Sequence, residues 1–259
     1  MNYRLERVVA SGITKAFLHH QLTRLINRLP MVEEMQTQVA VDIDLMPQPI
    51  PVQVVFDKVS VEVATRDKAK PKKKILDQVS GLFGPSEAIA VMGPSGSGKT
   101  TMLNVLTGVS KFTSGSITVN SQPFNPVALR RVSALVPQDD LLTPILTVLE
   151  SLMEASAFKS ELDPAEQRLV VEKLITQFGL QSCRDVLVGH PAEGKRGISG
   201  GQRRRLSVAL ELCGNPSLLY LDEPTSGLDS VSTMTLVKLF SSLAKRGTTV
   251  IATIHQPSV

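Results

Sequence analysis

Eight consecutive residues, Gly93-Pro94-Ser95-Gly96-Ser97-Gly98-Lys99-Thr100, match the spacing G-x-x-x-x-G-K-[ST] at every fixed position. The residue types suit a polyphosphate. Glycines leave no Cβ between the backbone N–H groups and a dense negative charge. The helix that follows, opening at Thr101, adds the positive end of its dipole. Lys99 would reach the β- and γ-phosphates, and the Thr100 hydroxyl would ligate Mg²⁺. A Gly-rich turn without a ligand is the bland alternative. It would need neither the apolar strand Glu87–Met92 that enters the loop nor the helix Thr101–Leu106 that leaves it.

Leu218-Leu219-Tyr220-Leu221-Asp222-Glu223 reads as a buried strand ending in two carboxylates. Behind a phosphate loop, Asp222 would hold Mg²⁺ through water. Glu223, on the other side of the pleat, would be the general base for a water attacking the γ-phosphate. Two solvated strand-end acids are the alternative. Ser199-Gly200-Gly201-Gln202 is a second anion-binding candidate, because a Ser-Gly-Gly turn opening a helix offers free N–H groups and a hydroxyl. Arg203, Arg204 and Arg205 then oppose the helix dipole by about 0.3–1 kcal/mol each, a cost that an anion or full solvation would relieve.

The elements that must position these groups follow from patterning. Val52–Phe56, Val59–Ala64 and Lys74–Ser80 predict short strands around a basic loop, Arg66–Lys74, and so a small antiparallel sheet. Ser116–Val119 and Arg131–Val136 predict strands, the latter running into Gln138. Thr147–Phe158, Pro164–Phe178 and Gly201–Leu212 are helical stretches, with Thr147 and Asp163 as N-caps, and form an all-helical insert at about 141–215. Leu218–Leu221, a helix Ser230–Lys245 closed by Gly247, and Thr249–Ile254 make a right-handed crossover between parallel strands.

The 259 residues allow one large α/β domain with an extension. No run approaches the roughly 20 apolar residues of a membrane span. The net charge of +4 is too small to argue for nucleic acid. Cys183 and Cys213 have no metal spacing and read as reduced packing residues. Residues 1–51 form an extension and linker, and the domain is expected over 52–259. Lys15–Leu29 sets Leu18, Leu22, Leu25, Ile26 and Leu29 on one helical face. That face suits a membrane-surface helix, a targeting segment, or a helix lying on the domain or fraying from it. Glu6 and the low Ser content weigh against targeting. His19 and His20 are read as surface residues, and Met46–Pro51, with three prolines, as a linker.

The phosphate loop, Gln138, Ser199–Gln202, Asp222-Glu223, the turn Ser226-Gly227-Leu228-Asp229 and His255 stand in the order of an ATP-binding-cassette (ABC) nucleotide-binding domain. Leu221–Ser230 and Thr253–Ser258 resemble the G subfamily, the white-type half-transporters. The resemblance covers about residues 52–259. It implies a phosphate-loop α/β core with a parallel sheet, an antiparallel β-subdomain and a helical insert, binding ATP and Mg²⁺. It implies that Gln138 senses the γ-phosphate and Mg²⁺, and that Ser199 and Gly201 clasp ATP held by a second such domain. Asp229 would line that seam and His255 would contact the γ-phosphate.

Three positions depart from the pattern. Gln202 stands where the subfamily usually has Glu. Val61 and Val63 occupy the region of the usual adenine-stacking aromatic, leaving Arg66 as a stacking alternative. The chain stops at Val259, so a fragment, a truncated gene model or a splice form is expected, with the transmembrane domain encoded downstream. The implied function is the ATPase of an exporter of lipids, sterols or xenobiotics, held at the cytosolic face of a membrane. A truncated non-transporting ATP-binding protein and a soluble cassette ATPase acting on ribosomes or DNA are the alternatives.

Overall fold

A computed structural model describes residues 46–64, 72–190 and 197–255, the side chain of His255 excepted. The helix expected at Lys15–Leu29, His19, His20 and Arg66 lie outside the described residues.

Two sheets build the molecule. The first is antiparallel, in the order β2-β1-β4-β5, with β1 Val54–Ala64, β2 Lys72–Phe83, β4 Ser114–Val119 and β5 Gln122–Pro123. The two short strands expected before residue 64 are one strand, broken in register at Lys58. Lys58 and Gln78 flank the Val59–Val79 pair diagonally, one on each strand, and both take φ 49°. Each N–H lost from the ladder is recovered by a serine of the other strand. Lys58 donates to Ser80 Oγ at 2.8 Å, and Gln78 to Ser60 Oγ at 2.9 Å. Paired bulges of this kind bend the ribbon without orphaning backbone groups.

The second sheet is parallel, in the order β3-β8-β7-β6, with β3 Ala88–Gly93, β6 Ser133–Val136, β7 Leu218–Leu221 and β8 Thr249–His255. Both faces of β7 are covered, which is why it reads as an unbroken apolar run. Leu219 and Leu221 enter one core, shared with the helical insert. Leu218 and Tyr220 enter the other, shared with the antiparallel sheet. Cys183 and Cys213 are free thiols buried in the first core, as expected of packing residues.

The helices are α1 Lys99–Leu106, α2 Pro126–Val132, α3 Val148–Lys159, α4 Pro164–Gln177, α5 Gly200–Leu212 and α6 Ser230–Arg246. Helix α2 replaces the first part of the strand expected at 131–136. Asn125 caps it, accepting from the Val127 and Ala128 N–H groups, and Pro126 opens it. Thr147 and Asp163 cap α3 and α4 as expected, each in a capping box closed by Glu150 or Glu166. Gly247 ends α6 at φ 118°. Met46–Pro51 has no regular secondary structure but is pinned. Arg246 donates to Met46 O at 3.2 Å and Asn215 to Pro47 O at 2.9 Å, and the Met46 side chain is buried in the first core.

Candidate functional site

The loop at the end of β3 exposes Pro94, Ser95 and Gly96 and folds back over Lys99. Gly98 caps α1 at φ 92°. A Cβ there would lie 2.8 Å from Leu76 Cδ2 and 3.0 Å from Ile75 O, so β2 fixes the loop from below. Lys99 is buried. Its ammonium donates to Gly93 O at 2.9 Å and Pro94 O at 3.1 Å and lies 3.6 Å from the Glu223 carboxylate. Gln138, in the loop after β6, donates to the other Glu223 oxygen at 3.2 Å. Lys99, Gln138 and Glu223 therefore converge from three elements. Thr100 is exposed beside them, with Thr101 half-buried behind it in α1.

Both carboxylates lie just past β7, not within it. Glu223 takes φ 45°, so a left-handed turn, and not the pleat, aims it away from Asp222. Thr253 of β8 serves both. Its Oγ donates to Asp222 Oδ1 at 2.6 Å and accepts the Glu223 N–H at 2.8 Å. A threonine within the apolar run Val250–Ile254 was the signal for this role, which sequence reasoning missed; the residue is fully buried. His255 ends β8 in register with Gly93, so the backbone brings position 255 alongside the first residue of the loop.

The Ser199-Gly200-Gly201 turn belongs to α5, elsewhere in the fold. Ser199 caps the helix through Gln202 N–H, and Gln202 Oε1 returns to Ser199 N–H at 2.8 Å. Gln closes this box as Glu would, which accounts locally for the departure at position 202. A Cβ on Gly201 would lie 2.9 Å from Ser232 Oγ, so α5 and α6 begin side by side. Asp229 caps α6, accepting from Val231 N–H, Ser232 N–H and Ser232 Oγ. The backbone bond from Ser232 holds its carboxyl below the ordinary range. Ser199, Gly200 and Asp229 all face solvent.

Arg203 and Arg204, at the start of α5, are held by acceptors of the protein itself and not left to solvent. Arg203 donates to Val188 O and Gly189 O at 3.0 and 2.8 Å. Arg204 is 4% exposed and bonded to backbone carbonyls and Asp140. Carbonyl oxygens offset the dipole penalty that the sequence left open.

The residues present fit a Mg²⁺–polyphosphate. A buried ammonium closes the foot of the loop. The oxygen donors, the Thr100 hydroxyl, the Gln138 amide and one carboxylate from Asp222, form the sparse hard-ligand set that Mg²⁺ takes with phosphate. Among the described residues no cluster of three or more His, Cys, Asp or Glu offers a full metal cage.

A parallel sheet ending in a phosphate loop, flanked by an antiparallel sheet and a helical insert, defines an ABC-type cassette. A solved dimeric bacterial ABC transporter cassette is similar, with TM-score 0.66 and 27% identity over 78% of this chain and 88% of that one. Residues 76–226 match the ABC transporter family, and the chain belongs to it. It is 44% identical to ABC transporter G family member STR2 of Medicago truncatula, over 71% of this chain and 25% of that protein. It is 41% identical to G family member 14 of Arabidopsis thaliana, over 86% and 35%. The ABC-type transporter claG of Penicillium crustosum is 43% identical over 69% and 24%. The chain thus spans about a quarter to a third of these relatives' length. No helix among the described residues is long and apolar enough to cross a membrane.

Proposed function

We propose that this chain is the ATP-binding and ATP-hydrolysing domain of a G-family-type ABC transporter. It pairs with a second such domain when ATP binds. It drives export of a lipid, sterol or xenobiotic through a membrane domain, itself lying on the cytosolic side. The observation that carries the reading is the convergence of Lys99 and Gln138 on the two oxygens of Glu223, at 3.6 and 3.2 Å. The subfamily resemblance supplies the substrate class, and the membrane domain would choose among substrates.

The chain's own groups divide the work. The loop N–H groups and Lys99 bind and orient the phosphates. Thr100, Gln138 and, through water, Asp222 would hold Mg²⁺, which would supply charge neutralisation at the phosphate oxygens. Glu223 accepts the proton of the attacking water, and Gln138 holds its carboxylate in place. His255 contacts the γ-phosphate from the end of β8. Ser199, Gly200, Gly201 and Gln202 present the α5 N-terminus to the nucleotide of the other domain, and Asp229 lines the seam.

The test mixes two variants, Lys99→Ala and Ser199→Arg, each expected to be inactive alone. Mixed dimers should regain ATP hydrolysis through one intact composite site. Full activity of either variant alone, or no recovery on mixing, counts against shared sites. A parent chain without ATP hydrolysis counts against the function.

A further inference from the structure

We propose that Arg204 is a positioning residue. It locks the segment carrying Gln138 and the segment carrying Asp222 and Glu223 to each other and to α5, so that the three move as one unit. The inference rests on the ATPase reading for its purpose, but its geometry stands apart from that reading.

Arg204 spends its whole guanidinium on these two segments. One terminal nitrogen donates to Pro137 O at 2.6 Å, to Gln138 O at 3.3 Å and to Asp140 Oδ1 at 3.1 Å. The other donates to Asp222 O at 2.7 Å, and Nε to Pro224 O at 3.3 Å. One planar fork thus brackets both candidate catalytic segments by their backbones. This fixes where the side chains of Gln138, Asp222 and Glu223 start. Ser207, one turn further along α5, donates to the same Asp140 oxygen at 2.8 Å. The α5 contact with the first segment therefore has two points and resists rotation.

Arg204 stands five residues after Ser199, about 7.5 Å along a rigid helix. Arg203 holds the opposite flank, on Val188 O and Gly189 O. A shift of the Ser199-Gly200-Gly201 turn therefore has a short mechanical route to Gln138 and Glu223 of the same chain. Lysine cannot replace this group, because one ammonium cannot span carbonyls that three guanidinium nitrogens reach in one plane.

The test is made on the chain as it stands, with Arg204→Lys and the milder Asp140→Asn. Amide hydrogen exchange without nucleotide is measured first. In Arg204→Lys, residues 137–141 and 222–225 should lose protection together, by about tenfold or more, while β6, β7 and β8 exchange as in the parent. Asp140→Asn should loosen 222–225 as well as its own segment, although Asp140 reaches the former only through Arg204. In turnover, Arg204→Lys should lower kcat about tenfold or more and move KM less than about threefold. The same change in a Gln138→Ala background should have a much smaller effect, because both act through one segment. Loosening of one segment alone, of neither, or of the whole sheet overturns the proposal. If the parent does not hydrolyse ATP, the proposed function fails and the exchange data alone decide the role of Arg204.

Discussion

The Lys99 ammonium and the Glu223 carboxylate are 3.6 Å apart, both largely shielded from water. The cation of the phosphate loop is therefore paired with the candidate base. A polyphosphate reaching Lys99 would compete with Glu223 and, in winning, free it, so that binding and activation of the proposed base would become one event.

Glu223→Gln separates the two consequences. The amide cannot accept a proton, so turnover should fall by about 10²–10⁴-fold. It also competes less for Lys99, so Mg²⁺–ATP affinity should hold or tighten, by up to about tenfold. Titration with a fluorescent nucleotide beside a phosphate-release assay reads both. Weakened binding would show that the pair does not compete.

Thr253→Val tests the alignment of the acids. The methyl replaces the hydroxyl in shape, but Asp222 loses a donor and the Glu223 N–H an acceptor. Leaving a buried polar group unpaired costs about 1–3 kcal/mol. Denaturant midpoints should fall accordingly and kcat should drop, whereas Thr253→Ser should restore most of both. Serine failing where threonine works would point to packing instead.

Tyr220 carries the reverse situation. Its ring fills the second core, but its buried hydroxyl finds no hydrogen-bond partner among the described residues. Tyr220→Phe removes a group that is desolvated for no return, and should stabilise the fold by about 1 kcal/mol or more, raising Tm by about 2–4 °C. A lower Tm in a scanning calorimeter would reveal an unseen partner.

Alkaline pH should destabilise the chain. Burial pushes the Cys213 thiol from 9.0 up to about 12 and raises the Tyr220 phenol as well. The folded state keeps these protons where the unfolded state loses them. Stability is therefore complete below about pH 9 and declines as pH rises from 9 toward 12, by up to about 1.4 kcal/mol per unit and group. Urea midpoints at pH 8 and pH 10.5 should differ less in Cys213→Ala than in the parent. An unchanged difference would remove Cys213 from the effect.

Base selectivity should be weak. Val61 is buried in the core and cannot stack on a purine, and Val63 is 41% exposed but offers only apolar contact. Phosphates then dominate affinity, and ATP and GTP should bind within about tenfold of each other, or 1.4 kcal/mol. Competition titrations on this chain decide it, and a hundredfold ATP preference would require an adenine reader.

The residues legible in the sequence are those whose chemistry imposes local spacing. Gly93–Thr100, Asp222-Glu223 and the Ser199–Gln202 turn needed only neighbours along the chain. What escaped depends on neighbours across it. Arg203, Arg204 and Arg205 look alike in a row. Their fates separate because each residue turns 100° around α5, setting Arg204 above Ser207 and Val208 on the buried side. A helical wheel would have flagged it. Thr253 matters only because β8 lies beside β7, and Glu223 is aimed by a left-handed φ that no periodicity announces. Helix α2 was readable from Asn125-Pro126, but its last two residues, Arg131 and Val132, fall within the stretch expected as a strand.

The sheet order has a consequence for biosynthesis. β3, which bears the phosphate loop, takes β8 as its neighbour, and the approach to that pairing joins Ser86 to Thr249, 163 residues later. At roughly 5–20 residues per second, a ribosome needs on the order of ten to thirty seconds between the two. Throughout that time the emerging β3 lacks its partner strand, and for most of it the acid that faces Lys99 has not been made either. Any nucleotide affinity that needs this pairing would therefore arise only after β8 has been made. The nascent chain meanwhile carries an unpaired apolar strand, which a chaperone holding it at that stage would shield from its neighbours.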